Sequence, residues 1–565
     1  MPPVEPVWAG AYAPGVPLHL EYGDTTVLDL WERTVERHGE RPAFDFLGRS
    51  TTYAEADDAV QRVAGGLQRL GVRPGDNVAL VMPNCPQNVV AFFAVLRLGA
   101  TVVEHNPLYT AAELRRPFED HAARVAIVWD KAVPVVEELR GSSALEHIVA
   151  VDLTTELPAA KRLALRLPIA KARTAREQLT APAPGAIPWK QLAGGPALDA
   201  SHPRPDREAV ALLLYTSGTT GVPKGVPLRH RNLVADVVQG RAWVGGLEDG
   251  TERFLVALPL FHAYGVTVSV LLGVSIGAVL VLLPKPEIGL IMDAVKRGVP
   301  TFVPAVPPLY QRIVEESERR GVSIRGIRYA LSGAMSLPAA LVERWEAATG
   351  GLLVEGYGLT ETSPVIVGNP MTRDRRPGSI GVPFPDVEIR IVDPEDLDRD
   401  VAPGEAGELL VRGPQVFDGY RNLPEETAAA FHDGWFRTGD VVTMAADGFL
   451  TVVDRIKEII ITGGFNVYPS EVEAVLRTHG GVVDVAVVGV PDESGGEEVV
   501  AVVVSVEGVP VPPEELRDHS RDELTPYKVP RRVVFVDELP TNPMGKVLRR
   551  EVVARMRDAG PDGEA

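Results

Sequence analysis

Cysteine is nearly absent. Cys85 stands alone among 565 residues, which excludes an internal disulfide and any CxxC metal site and suits a reducing cytoplasm. Positive charge is short as well: 57 Lys and Arg against 76 Asp and Glu give 57 − 76 = −19. That balance argues against nucleic acid as a partner, because a phosphate backbone needs a basic face. It leaves room for small anions wherever backbone amides and a few cations converge. The start, MPPVEPVWAG, lacks the basic residues and apolar run of a signal peptide, so a cytoplasmic location is expected. Repeats of solenoid period are missing. Apolar residues at 45% and charged residues at 24% are ordinary for a globular protein, and the length demands two or more domains.

Charge is missing altogether from AYGVTVSVLLGVSIGAVLVLLP, Ala263 to Pro284, a run long enough to span a bilayer. Gly273 and Gly277 divide it into pieces of helix and strand length. It therefore reads as a buried helix, a turn near Gly277 and a buried strand from Ala278 to Leu283. The same run contains G-V-S-I-G, Gly273 to Gly277, which matches the hydrolase pattern G-x-S-x-G. That motif needs a strand before its serine and a helix after it, whereas here the strand follows, so Ser275 reads as a packed core serine.

What is present is alternation. NVALVMP (Asn77 to Pro83), QNVVAFFAVLRLG (Gln87 to Gly99), ATVVEHNP (Ala100 to Pro107) and VAIVWD (Val125 to Asp130) alternate strand-like and helical runs, which predicts an α/β protein with parallel sheets. From about Ile380 the chain turns to short strands, VEIRIVD, GELLVRG and GFLTVVD, the pattern of a small β-rich subdomain. After Asp454 it becomes an α+β unit in which EVEAVLRTH and PEELRDHSRDEL are helical and VVDVAVVGVP and EVVAVVVSV are strands. The expected fold is α/β: a large N-terminal domain of two α/β subdomains plus the β-rich one over residues 1–453, a joint at 454–457, and a small α+β domain over 458–565. The segment KRLALRLPIAKARTAR, residues 161–176, carries six basic residues and no acidic one. It reads either as a solvated excursion or as a patch attracted to anionic lipid.

The stretch YTSGTTGVPKGV, Tyr215 to Val226, follows the apolar run Ala209 to Leu214. A glycine-rich loop after a strand offers backbone N–H groups to phosphate oxygens, and hydroxyls and a lysine add donors. It is not a Walker A loop, because Lys224 lacks the following Ser or Thr that would hold Mg²⁺, and it lacks G-x-G-x-x-G. Taken alone, such a stretch is equally a surface loop. It resembles, however, the signature loop of the adenylate-forming superfamily of acyl-CoA synthetases, luciferases and peptide-synthetase adenylation domains. LPLFHAYG (258–265), LSGAMSL (331–337), VEGYGLTETSP (354–364), GWFRTGD (434–440), DRIKEIIITGGFNVYPSEVE (454–473) and PTNPMGKVLRRE (540–551) match the same superfamily in order.

The resemblance implies two half-reactions: ATP and a carboxylate give an acyl-adenylate, and a thiol then releases AMP. It implies that Thr216, Ser217, Gly218, Thr219, Thr220, Gly221 and Lys224 cradle the β- and γ-phosphates, that Thr360 donates to the α-phosphate and that Glu361 holds Mg²⁺. Tyr357 would stack on adenine, enclosed by Gly333, Ala334, Gly356 and Gly358. Asp440 would accept from both ribose hydroxyls, with Arg455 as an added donor. Lys546 would reach the attacking carboxylate and the adenylate. Lys457 falls at the hinge about which the C-terminal domain rotates, presenting Gly463 and Gly464 to the CoA channel, and His262 would lie beside the carboxylate. Within the superfamily NPLYT, GPQVFDGY and GFNVYPSEVE look most like long-chain fatty acyl-CoA ligases, so the expected reactants are a fatty acid, ATP with Mg²⁺, and coenzyme A. Val266, Val268, Ala305, Val306 and Gly333 are candidates for the acyl pocket. A medium-chain or aryl acid, a carrier-protein acceptor, and an inactive relative that only binds stay open. So do a homodimer and peripheral membrane contact through residues 161–176.

Overall fold

Strands buried along nearly their whole length belong to parallel sheets covered on both faces, and Asn77–Val81, Thr101–His105 and Val125–Trp129 are of that kind. In a computed structural model, which describes residues 5–216, 223–462, 465–491, 497–506, 508–509, 511–542 and 545–558, they pair in parallel as predicted. Their sheet continues through His147–Val151 and Ile187–Pro188 on one side. On the other it runs through Val210–Thr216 to Lys224–Arg229, which closes it as an antiparallel hairpin. A second sheet has a parallel centre of Pro42–Phe46, Val279–Leu282, Arg253–Val256, Phe302–Ala305, Tyr329–Ser332 and Leu352–Gly358. Helices Val27–His38, Tyr53–Arg69 and Ala111–His121 each open on a threonine with an acidic residue three positions on, so that side chains satisfy two amides that helix geometry leaves free.

By contacts the described chain divides into two units. One holds residues up to Glu388 together with Arg412–Phe436, and the other holds Ile389–Val411 and Arg437 onward. This division falls elsewhere than the boundary at 453/454 expected from the sequence. It cuts across the strands Glu388–Asp393, Gly407–Arg412 and Trp435–Met444, because the β-rich segment contributes most of its strand pairs to the second unit.

In the second unit the sheet Val482–Pro491, Glu497–Ser505 and Arg532–Phe535 is buried on both faces. Side chains alternate across a strand, so Val485 and Val487 join Leu476 of helix Pro469–Arg477 and Leu516 of Pro513–Glu523. Ala486 and Val488 join Val552 and Met556 of helix Arg549–Asp558 instead.

The charge-free run folds as read. A wide-turn helix Tyr264–Leu271 leads into Leu272–Ser275 and then the strand Val279–Leu282, with Gly277 at φ +67 making the turn. No described helix is long and apolar enough to cross a membrane. Ser275 Oγ donates to Leu272 O at 2.7 Å, the local bond of a structural serine.

Candidate active site

The parallel strands of the first unit point their carboxyl ends the same way, and the site residues follow those ends, where open α/β sheets bind ligands. Thr216 ends one strand and pairs with Lys224 across the hairpin. Ser217, Gly218, Thr219, Thr220 and Gly221 lie outside the described residues. Lys224 Nζ stands 4.8 Å from the centre of the Tyr420 ring, close enough for a cation–π contact. Tyr420 Oη donates to Glu361 Oε1 at 2.9 Å, and Glu361, only 8% exposed, sits in the single turn Thr360–Thr362 that follows strand Leu352–Gly358. Burial, reinforced by the Glu361 carboxylate, pushes the Tyr420 phenol well above its ordinary range, so it stays a donor. The backbone holds the group together: Arg421 N donates to Gly225 O at 2.9 Å and Phe417 N to Glu361 O at 2.9 Å. One segment, 417–421, therefore ties the lysine hairpin to the acidic turn.

The adenine candidates meet at two neighbouring strand ends. Gly333 N donates to Ala305 O at 3.3 Å, and a Cβ on Gly333 would come within 3.0 Å of the Tyr264 ring. Ala334 has φ +67, a left-handed conformation unusual for alanine that turns the chain out of strand Tyr329–Ser332. Glu355 anchors the far end of that loop by accepting from Leu337 N at 3.2 Å, and burial pushes its carboxyl up to about 8. Gly356 and Tyr357 pair with Gly368 and Val367, and a Cβ on Gly358 would collide with Pro364 O at 1.7 Å, so that position must be glycine. His262 stands before helix Tyr264–Leu271. Burial lowers its imidazole to about 4 and its Nε2 has no partner among the described residues, so it is a neutral ring with an unmet bond. Of the five acyl-pocket candidates, Val268 lines a small cavity, and Val266, Ala305, Val306 and Gly333 are not in its wall.

In the second unit, Asp440 is 2% exposed and pairs with Arg455 Nε at 2.8 Å across the antiparallel strands Trp435–Met444 and Leu450–Arg455. Lys546 sits in a tight turn: its N–H donates to Asn542 Oδ1 at 2.9 Å, its carbonyl accepts from Asn542 N at 2.8 Å, and Gly545 takes φ +81. Burial and the Arg455 cation hold the Lys546 ammonium below its ordinary range, opposed by Glu458 and Asp440, which raise it. Lys457 is exposed in the short turn Ile456–Glu458. Gly463 and Gly464 lie outside the described residues. Three residues with no assignment from the sequence prove to be positioned here: Tyr420, Glu355 and Glu458. Only Tyr420 carried a signal, as the end of GPQVFDGY beside an aromatic and an acid.

A phosphate-type hairpin beside a buried acidic turn, with a depressed lysine near a buried carboxylate in the second unit, defines the adenylate-forming ligases. The fold agrees: it matches the solved structure of anthranilate CoA ligase AuaEII with anthranoyl-AMP at TM-score 0.81 and 26% identity, over 95% of this chain and 99% of that one. The chain belongs to the AMP-binding enzyme family, which matches residues 31–421, with the family's C-terminal domain at 471–546. It is 36% identical to a long-chain-fatty-acid–CoA ligase of Bacillus subtilis, over 97% of each chain. To the enzyme of that name from Salmonella typhimurium it is 37% identical, again over 97% of each.

Proposed function

We propose that this protein activates a long-chain fatty acid with ATP and transfers the acyl group to coenzyme A. The observation that carries the reading is the convergence of Lys546, Asp440 and Arg455 in one unit, since a binding protein has no use for a lysine so placed. The long-chain preference rests on the two near full-length relatives of that name. The likeness to anthranilate CoA ligase favours an aryl acid as the second reading.

In the first step a fatty carboxylate oxygen attacks the α-phosphorus of ATP. The bond from that phosphorus to the bridging oxygen breaks and pyrophosphate leaves. Charge moves onto phosphoryl oxygens, so fixed donors are needed where it gathers: Thr216, Lys224 and the intervening loop at the β- and γ-phosphates, Thr360 at the α-phosphate. Mg²⁺ suits Glu361, a buried carboxylate oriented by the Tyr420 hydroxyl, and bound there it would neutralise phosphate oxygens. Asp440 and Arg455 take the ribose, and neutral His262 offers its unmet Nε2 to the acid. Lys546 bridges carboxylate and α-phosphate. In the second step the CoA sulfur attacks the acyl carbon and AMP leaves. We infer that residues from 458 onward, which carry Lys546, turn about Lys457 between the steps, withdrawing the lysine and presenting Gly463 and Gly464 to CoA.

The test is AMP formation by the purified protein with ATP and Mg²⁺, across aliphatic acids from acetate to oleate and with benzoate and coumarate, each with and without CoA. CoA-dependent turnover peaking at long aliphatic acids is expected. Pyrophosphate exchange without CoA turnover would instead identify a carrier-protein acceptor, and a peak at aromatic acids would establish the second reading.

The basic segment supports docking of this enzyme at an anionic membrane surface, where its substrate partitions. Leu163 of helix Ala159–Ala164, with Leu167 and Ile169 in the link to helix Ala170–Leu179, are exposed by 68%, 50% and 53%, among basic side chains that are themselves exposed. Apolar residues that enter the interface, ringed by cations that meet lipid phosphate, make such a surface. Each basic residue near an anionic membrane contributes about 1 kcal/mol. Charge reversal at Lys161, Arg162 and Arg166 should therefore weaken co-sedimentation with anionic vesicles by on the order of tenfold or more. Unchanged sedimentation would refute the docking.

A further inference from the structure

The cavity that contains Val268 has an unexpected wall. It encloses about 20 Å³, room for one water-sized group, and most of its lining is apolar, including Val237, Leu272, Phe302 and Phe384. Two of its residues break the pattern. Asp236, 3% exposed, comes from helix His230–Trp243, and Thr267, 1% exposed, comes from the wide-turn helix that also holds Val266 and Val268.

Packing accounts for one oxygen of Asp236 and leaves the Thr267 hydroxyl unmet among the described residues. Asp236 Oδ1 accepts from Val365 N at 3.1 Å, which uses one carboxyl oxygen. Burial drives the carboxyl well above the usual carboxylate range, which favours the protonated acid, a group that can donate as well as accept. Thr267 Oγ1 has no hydrogen-bond partner among the described residues. Trp243, the remaining polar member of the wall, is satisfied, since its Nε1 donates to Asn369 O at 2.8 Å. A pocket built only for methylenes gains nothing from a carboxylic acid and an unmet hydroxyl, because each loses its hydration on burial. A carboxylic acid and an unmet hydroxyl lining one oxygen-sized space are what a hydroxyl or keto oxygen needs.

We propose that Asp236 and Thr267 recognise an oxygen carried on the acyl chain, so that hydroxylated or oxidised long-chain fatty acids are preferred substrates of this enzyme. The inference rests on the fatty-acid reading above and names the acid more closely. The link to the acyl site is covalent and short: Thr267 lies five residues after His262, and Leu331, two residues before Gly333, is part of the same wall. The proposal requires the alkyl chain to enter past the wall residues, since the cavity itself has room for the oxygen alone. A polar pocket group left without its partner penalises the analogue that lacks it far more than a missing methylene does, which is why the discrimination shows in relative rates.

The measurement is kcat/KM for palmitate and for mid-chain and ω-hydroxylated palmitates, with the full-length chain and with Asp236→Leu and Thr267→Val. The hydroxy-to-plain ratio should exceed one for at least one hydroxyl position in the wild type and fall about tenfold in Asp236→Leu. Thr267→Val, a near-isosteric change that guards against misfolding of the first variant, should lower the same ratio at the same position. A wild type that activates palmitate, with ratios that neither variant moves, would overturn this inference alone. A wild type that activates none of these acids would overturn the fatty-acid reading on which it stands.

Discussion

Lys546→Ala should lower acyl-adenylate formation by about 10²–10³-fold while leaving CoA transfer from a supplied acyl-adenylate nearly intact. The asymmetry follows from where charge develops. In adenylation, negative charge grows between the entering carboxylate and the α-phosphate, and a cation reaching both is worth more in the transition state than in the ground state. On the proposed mechanism the lysine is withdrawn before thioester formation. The turn 542–546 is closed by backbone bonds and by Asn542, not by the lysine side chain, so truncation should spare the fold, and an unchanged thermal unfolding midpoint checks this. The pH profile gives a second reading. Because burial and Arg455 depress the ammonium, adenylation should fail on the alkaline side below the pH at which an ordinary lysine loses its proton. Hydroxylamine trapping of the acyl-adenylate measures the first step by itself, and a variant as active as the wild type in that assay would remove the mechanism.

Glu361→Gln should reduce adenylation by about 10²-fold and raise the Mg²⁺ concentration needed for half-maximal rate. Glutamine keeps the shape and an oxygen that accepts from Tyr420 Oη, so what is lost is the charge at a position only 8% exposed. Tyr420→Phe provides the contrast: it removes one hydrogen bond and keeps the charge, and a bond to a charged group contributes about 1.5 kcal/mol or more, roughly a tenfold effect, with the Mg²⁺ requirement unchanged. Equal losses in the two variants, with no change in the Mg²⁺ requirement, would mean that the carboxylate only holds the 417–421 segment in place.

Much of this protein was legible before any coordinates. Strands such as Val125–Trp129 and Val482–Pro491 are read correctly because β-branched runs bounded by turn residues have few other ways to satisfy their backbone. The charge-free run was recognisable as core because its glycines cut it below spanning length, and the order of strand and helix disposed of Ser275. The contact division was not legible, since it depends on which strands of the β-rich segment find partners, and pairing is non-local.

The sequence by itself determined the α/β class, the glycine-rich loop after the strand ending near Leu214 and the residue types that an adenylate-forming reaction requires, because these are local: a period, a turn, a spacing. Tertiary structure alone decided which distant residues share an environment. Tyr420 meets Glu361 across 59 positions, and Asp236 and Thr267 face one small cavity from two helices. Lys546 comes under the field of Asp440 more than a hundred residues away. The physical reason is that hydrogen bonds and buried charges act through space over a few ångströms, and only the packed chain sets those distances.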